Sequence, residues 1–266
     1  MSISSTLVHR AEIRFREAAD VLHPFVGCFW VITAERNATI RVVPDGSTAM
    51  SIQLQDGRSS GWMLRGPLLR PDERRFTSPA TLVGVRLRPG VAFLLSGIPA
   101  HATVNQRITL NAAAPFRDLV ATEAGSRTPA DCIESLERWL IERLRNAGVH
   151  ATVSSVVREI ECDHGLTRVS DVARRCGVSP RQLNRLMRLW VGFGTKCFAN
   201  IVRFQRTLKE MEQAPTRSGA LLASDAGYFD QAHLTLELGR FAGETPHRLA
   251  STSVSDFSKT RCDDAV

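Results

Sequence analysis

The period of the hydrophobic pattern changes once along this chain, and that change divides it in two. Before about residue 128 apolar side chains recur at every second position: Met50, Ile52 and Leu54 alternate with Ser51, Gln53 and Gln55, and Val83, Val85 and Leu87 alternate with Gly84, Arg86 and Arg88. Successive side chains of a pleated strand point to opposite faces, so this alternation marks half-buried strands. Pro44-Asp45-Gly46 and Arg88-Pro89-Gly90 punctuate such runs, proline presetting φ and glycine accepting positive φ. The pattern predicts an antiparallel β-rich domain, small and barrel-like. At Thr128-Pro129, an N-cap with a first-turn proline, the period becomes helical: Cys132, Leu136, Leu140 and Leu144 recur every fourth residue until Asn146-Ala147-Gly148. The expected organisation is α+β. It comprises a β-rich sensing or dimerisation domain over 1–148 with a connecting helix over 129–146, an all-α domain over 151–250, and a flexible Ser/Asp/Thr-rich tail over 251–266.

Several classes are excluded by what the chain lacks. A length of 266 residues with 43% hydrophobic and 23% charged side chains suits two globular domains rather than disorder. No apolar run nears the roughly 18 residues of a membrane span, and Met1 to Arg16 lacks a signal-type apolar core, so a cytoplasmic protein with no membrane partner is expected. The six cysteines (Cys28, Cys132, Cys162, Cys176, Cys197, Cys262) contain no CxxC pair and read as free thiols. Glu161-Cys162-Asp163-His164 places its side chains divergently on one turn, and no distant residue completes a ligand set. In the first half His9, His23 and His101 form no His-x-His or His-x-x-x-His pair, and no nucleophile elbow is present. No enzyme, metal or cofactor is expected.

Charge points to the partner. Net charge is +7, and between Val172 and Lys209 nine basic side chains occur without one acid: Arg174, Arg175, Arg181, Arg185, Arg188, Lys196, Arg203, Arg206 and Lys209. From Glu210 to Ala250 the balance reverses, with Glu210, Glu212, Asp225, Asp230, Glu237 and Glu244 against Arg217, Arg240 and Arg248. A solvated face that happens to lack acids is the bland alternative; an anionic partner bound by one segment is the functional one.

The segment's local pattern favours the second. Val169 to Cys176 reads as a short helix, Gly177-Val178-Ser179 as a tight turn and Pro180 to Trp190 as a second helix. Ala173 is small where the helices cross, Gly177 accepts the left-handed conformation, Val178 plugs the corner, and Ser179 caps a helix whose first position is Pro180. This is a helix-turn-helix. Leu183, Leu186, Met187 and Trp190 face inward, leaving Arg181, Asn184, Arg185 and Arg188 outward. Arginine forks onto guanine O6/N7 and asparagine onto adenine N6/N7, so Arg181, Asn184 and Arg185 are candidate base readers. Arg174, Arg175, Arg188, Arg203 and Arg206 are candidate phosphate contacts. A second copy follows, Ala223 and Gly227 lying 50 residues after Ala173 and Gly177. Tyr228 takes its corner, Asp230 its cap, and Gln231 and His233 open its second helix as further base-reading candidates. Phe198, Ile201, Val202, Gln205 and Leu208 lie on a linker helix that sets the units about one DNA turn, roughly 34 Å, apart.

Across 151–250 these residues resemble the AraC/XylS family of bacterial transcription regulators. The likeness lies in Val169-Ser170-Asp171-Val172-Ala173, Gly177-Val178-Ser179-Pro180, Gln182-Leu183-Asn184-Arg185-Leu186, Arg203-Phe204-Gln205-Arg206, Gly227-Tyr228-Phe229-Asp230-Gln231-Ala232-His233-Leu234 and Gly243-Glu244-Thr245-Pro246. The first half is similar to a little-characterised sensor-type domain in His23-Pro24, Val43-Pro44-Asp45-Gly46 and Gly84 to Gly90. The resemblance implies a transcription regulator of double-stranded DNA, an RNA polymerase partner, a groove contact for His233, and an effector whose binding shifts DNA or polymerase competence. The chain departs from the family at Leu236 (usually arginine), Gly239 (usually basic), Gly219 (usually tryptophan) and Thr195 (usually proline). Together with the acidic balance after Glu210, these departures predict a second unit that docks weakly, the first supplying most of the affinity.

In the first half, Trp30, Met50, Ile52, Trp62 and Phe93 are core candidates that also suit a sensor's inner face. Trp30, Arg41, Asp45 and Arg86 are the candidate ligand residues, with Arg88 as a further cation for an anionic effector. Leu136, Leu140 and Leu144 suit either a homodimer seam or packing on their own domain, the latter favoured. Two alternatives remain: a DNA-tethered enzyme, which needs a bound metal or an activated cysteine, and an interaction module that no longer binds DNA.

Overall fold

The computed structural model describes residues 6–55, 58–110, 115–121, 128–214 and 217–244. The predicted tail and Thr245-Pro246 lie outside them. Seven strands, β1 (Thr6–Arg16), β2 (Val26–Val42), β3 (Thr48–Gln55), β4 (Arg58–Arg65), β5 (Asp72–Arg75), β6 (Ala80–Leu87) and β7 (Arg107–Thr109), form one antiparallel sheet in the order β1-β2-β6-β3-β4-β7, with β5 paired to the far half of β2. The expected barrel is corrected: among the described residues the end strands β1 and β7 do not pair, so the sheet is open. Closure needs a register carried around the whole ring, and β7 spans three residues.

The alternation read from β3 and β6 separates the two faces of this sheet. Phe29, Met50, Ile52, Trp62, Leu64, Val83, Val85 and Leu87 enter one buried core, capped by α1 (Val91–Ser96), α2 (Arg117–Ala121) and α3 (Pro129–Leu144). Thr128 caps α3 in a full capping box with Asp131. Leu136, Leu140 and Leu144 are 0, 0 and 3% exposed within that core. Packing on their own domain is thus the use the fold makes of them, and α3 is a layer of the first domain more than a bare connector. Trp30, Ile32 and Arg86 point to the opposite, concave face.

The second half is helical throughout: α4 (Ala151–Cys162), α5 (Val169–Arg175), α6 (Pro180–Trp190), α7 (Thr195–Gln213), α8 (Gly219–Asp225) and α9 (Gln231–Ala242). Its core gathers Val153, Val156, Ile160, Leu183, Met187, Phe198, Ile201, Phe204, Leu234, Leu238 and Phe241. None of the described helices is long and apolar enough to cross a membrane. The halves touch at several places. Trp190 at the end of α6 meets Phe93 of α1 edge-on, ring centroids 4.8 Å apart. Gln205 of α7 donates to the Pro44 carbonyl at 2.6 Å, and Gly46, at φ +78°, lies so close to Phe198 that a Cβ there would fall 2.6 Å from its ring. Glycine is required at 46 on both counts.

Candidate nucleic-acid interface

Both helix-turn-helix units form as read. Gly177 (φ +65°) and Gly227 (φ +74°) end α5 and α8 in the left-handed conformation, and Val178 and Tyr228 donate backbone N–H to Ala173 and Ala223 at 3.1 and 2.9 Å. The Ser179 hydroxyl accepts the Gln182 N–H, and the Asp230 carboxylate the His233 N–H at 2.7 Å, so each second helix starts from a side-chain cap. Leu183 and Met187 are fully buried, while Arg181, Asn184, Arg185 and Arg188 are exposed.

The nine cations divide sharply. Among the described residues Arg181, Arg185, Arg188, Lys196 and Lys209 enter no ion pair, whereas the other four do, each with an acid outside the acid-free stretch. Arg174 pairs with Asp171 at 3.0 Å, Arg175 with Glu159, Arg206 with Glu210 at 2.6 Å and Arg203 with Glu237 at 3.2 Å. Arg203 corrects the phosphate expectation outright. At 6% exposed it is buried, its guanidinium shared among Glu237, Asn200, the Gly227 carbonyl and the Tyr228 ring. The residue locks α7 to the second unit instead of reaching DNA. Arg206, only half-buried, directs its charge to Glu210.

Two predicted base readers rest against helix starts, those of α7 and α8. The Asn184 amide lies over Gly194, where a side chain would collide with it. Gln231 lies over Gly219, where a Cβ would fall 2.8 Å from Nε2; the departure from the family's tryptophan thus leaves room for this amide. His233 stands edge-on to Tyr228, centroids 5.4 Å apart, and its Nδ1 accepts the Phe229 N–H at 3.4 Å. It is a half-buried residue bracing its own turn.

In the first domain the concave face of the sheet holds a cavity of about 890 Å³ including its mouth. It brings together three of the four ligand candidates, Trp30, Asp45 and Arg86, and adds Arg65, Arg74 and Arg107, which sequence reasoning missed. Their signal was strand alternation: Arg65 follows Met63 at two residues on β4, on the face opposite buried Leu64. Burial would push the Asp45 carboxyl up, but Arg86 at 2.9 Å, Arg65 and two Ser47 hydrogen bonds outweigh it and hold the group below its ordinary value. Burial pulls the Arg65 guanidinium down, against Asp45 and Asp72, and its Nη1 is buried without a hydrogen-bond partner. Arg41 is a correction. It points away from the cavity, pairing with Glu244 and donating from Nη2 to the Ala242 carbonyl at 2.5 Å, and so ties β2 to the end of α9.

Residues 172–252 match the family model described as a helix-turn-helix domain, and residues 16–109 match a domain of unknown function, DUF6597. The helical half thus carries a helix-turn-helix domain. Similar solved structures include an AraC-type DNA-binding domain-containing regulator from Chromobacterium violaceum, at 20% identity over 39% of this chain and 93% of that one, TM-score 0.36. The C-terminal domain of AraT, a response regulator from Geobacillus stearothermophilus, is similar at 17% identity over 43% and 94%, TM-score 0.37. ToxT from Vibrio cholerae is similar at 7% identity over 93% and 100%, TM-score 0.47. No curated protein matches the chain.

Proposed function

We propose that the chain is an AraC-type transcription regulator that grips duplex DNA chiefly through α6, with Arg181 and Arg185 reading guanine edges, Asn184 turning off Gly194 to join them, and Arg188 held to phosphate. The supporting observation is the trio of unpaired, exposed guanidinium groups on one face of a helix fixed at both ends, by the Ser179 cap and by packing of Trp190 on Phe93. Arg174 and Arg175 are exposed and reach phosphate by exchanging their acid partners for it. Gln231 and His233 belong to a second, weaker contact. A titration of Arg181→Ala and His233→Ala against a cognate duplex tests this: the first is expected to weaken binding about tenfold or more, the second far less, and equal losses would refute the asymmetry.

The cavity is the proposed effector site. Four arginines face two carboxylates across it, with Trp30, Ile32 and Ile40 as the apolar wall, a lining suited to a small anionic molecule. RNA polymerase and a second copy of the chain are the further proposed partners, in the cytoplasm. The chain is proposed to act without covalent chemistry: burial pushes the Cys176 and Cys197 thiols up, away from the thiolate that a DNA-tethered enzyme with a cysteine nucleophile would need.

A further inference from the structure

The internal repeat lets α9 be compared with α6 position by position. Aligning the caps, Ser179 with Asp230, places Leu183 on Leu234 and Met187 on Leu238, all fully buried. The same alignment puts Ala232, Leu236 and Gly239 where the first unit carries Arg181, Arg185 and Arg188, and Thr235 where it carries Asn184. Ala232, Leu236 and Gly239 are exposed, Leu236 at 73%, and Phe229 beside the cap is 92% exposed. Each outward cation of the first unit thus has a neutral counterpart in the second. Of the acids around that counterpart, Glu210, Asp225, Glu237 and Glu244 are each held in an ion pair, and the exposed Asp230 carboxylate accepts the His233 N–H as the helix cap.

In the major groove the apolar feature of a base pair is the thymine C5-methyl group, and it is read by small apolar side chains. We propose that α9 reads an A·T-rich half-site, packing Ala232 and Leu236 against thymine methyls while Gln231 lifts from Gly219 to pair with adenine N6/N7. The α6 half-site is correspondingly guanine-rich. This rests on the DNA-binding reading above. Its occupant is DNA because the face repeats, position for position, the one that α6 offers to the groove, and because Gln231 and Thr235 border it with hydrogen-bonding groups.

The full-length chain selects duplexes from a randomised pool, and the half-site whose base preference Arg185→Ala erases is assigned to α6. Deoxyuridine then replaces thymine, deleting only the methyl. In the other half-site this is expected to weaken binding about fourfold per contacted methyl, with no effect in the α6 half-site and a reduced effect on Leu236→Ala, which retains only the contact of Ala232 in full. Leu236 is largely exposed, so its truncation leaves the core intact. Leu236→Arg is expected to exchange thymine for guanine at one position. Unchanged affinity for the deoxyuridine duplex, with Arg181→Ala still weakening binding, overturns the inference and leaves the DNA-binding reading standing. Selection of no sequence at all overturns both. If Leu236→Ala dissolves a dimer in sedimentation while the footprint stays the same, the face belongs to a second copy and the inference is overturned.

Discussion

From matching positions of their second helices, the first unit offers Arg181, Arg185 and Arg188 to solvent and the second offers Ala232, Leu236 and Gly239. Inside, the contrast runs the other way. Where the first unit has the partly buried Leu186, the second has Glu237, 5% exposed and ion-paired with Arg203. One skeleton, with the same glycine turns and the same capping geometry, thus carries charge on its surface in one copy and in its interior in the other. Similar folding signals therefore do not imply similar binding surfaces. A count of charges along the chain measures neither.

The largest expected effect tests the interior half of this contrast. Glu237→Ala leaves Arg203 buried without its carboxylate, and removing one partner of a buried pair costs about 3 to 5 kcal/mol; a loss below about 1 kcal/mol in denaturant unfolding would show the pair to be dispensable. Next comes the surface half. Arg185→Ala is expected to cost about 1 to 3 kcal/mol of specific binding in a duplex titration and to relax preference at one base pair, while Gly239→Ala, with open space around its Cβ, leaves affinity nearly unchanged. Salt dependence sharpens the sorting of cations. Arg188→Ala should lower the log-log salt slope by about 0.9, whereas Arg206→Ala, whose charge is already matched by Glu210, should not move it. The smallest effect concerns the docking of the second unit. Arg41→Ala removes a partly exposed pair and one carbonyl contact, expected to cost about 1 kcal/mol in thermal unfolding.

Local features were legible in the sequence. Gly177, Ser179 and Pro180 specify a turn, a cap and a helix start within four residues, so their outcome depends on little else, and the 50-residue repeat carried the same geometry to Gly227. The period-2 runs of β3 and β6 likewise separated core from concave face. What the sequence concealed was pairing at a distance. The stretch from Val172 to Lys209 is free of acids along the chain but not in space, since Glu159, Asp171, Glu210 and Glu237 approach it from both sides. Arg41 read as a ligand residue because its partners lie more than 200 positions away. Strand β1 was missed although Ala11, Ile13 and Phe15 alternate with Glu12, Arg14 and Arg16, its charges masking a strand. The open edge of the sheet followed from the shortness of β7, which no periodicity reveals.

Turns on protein surfaces ordinarily accept insertions, but the one joining β2 to β3 has no such slack. Val43 to Met50 is buried throughout, Gly46 abuts Phe198, the Pro44 carbonyl is held by Gln205, and Asp45 and Ser47 line the cavity. Eight consecutive residues serve the chamber on one side and the helical half on the other, so a single added or deleted residue would misplace both at once. Length there is fixed as firmly as sequence, and grafting this sheet onto a different helical domain would have to carry α7 along with it.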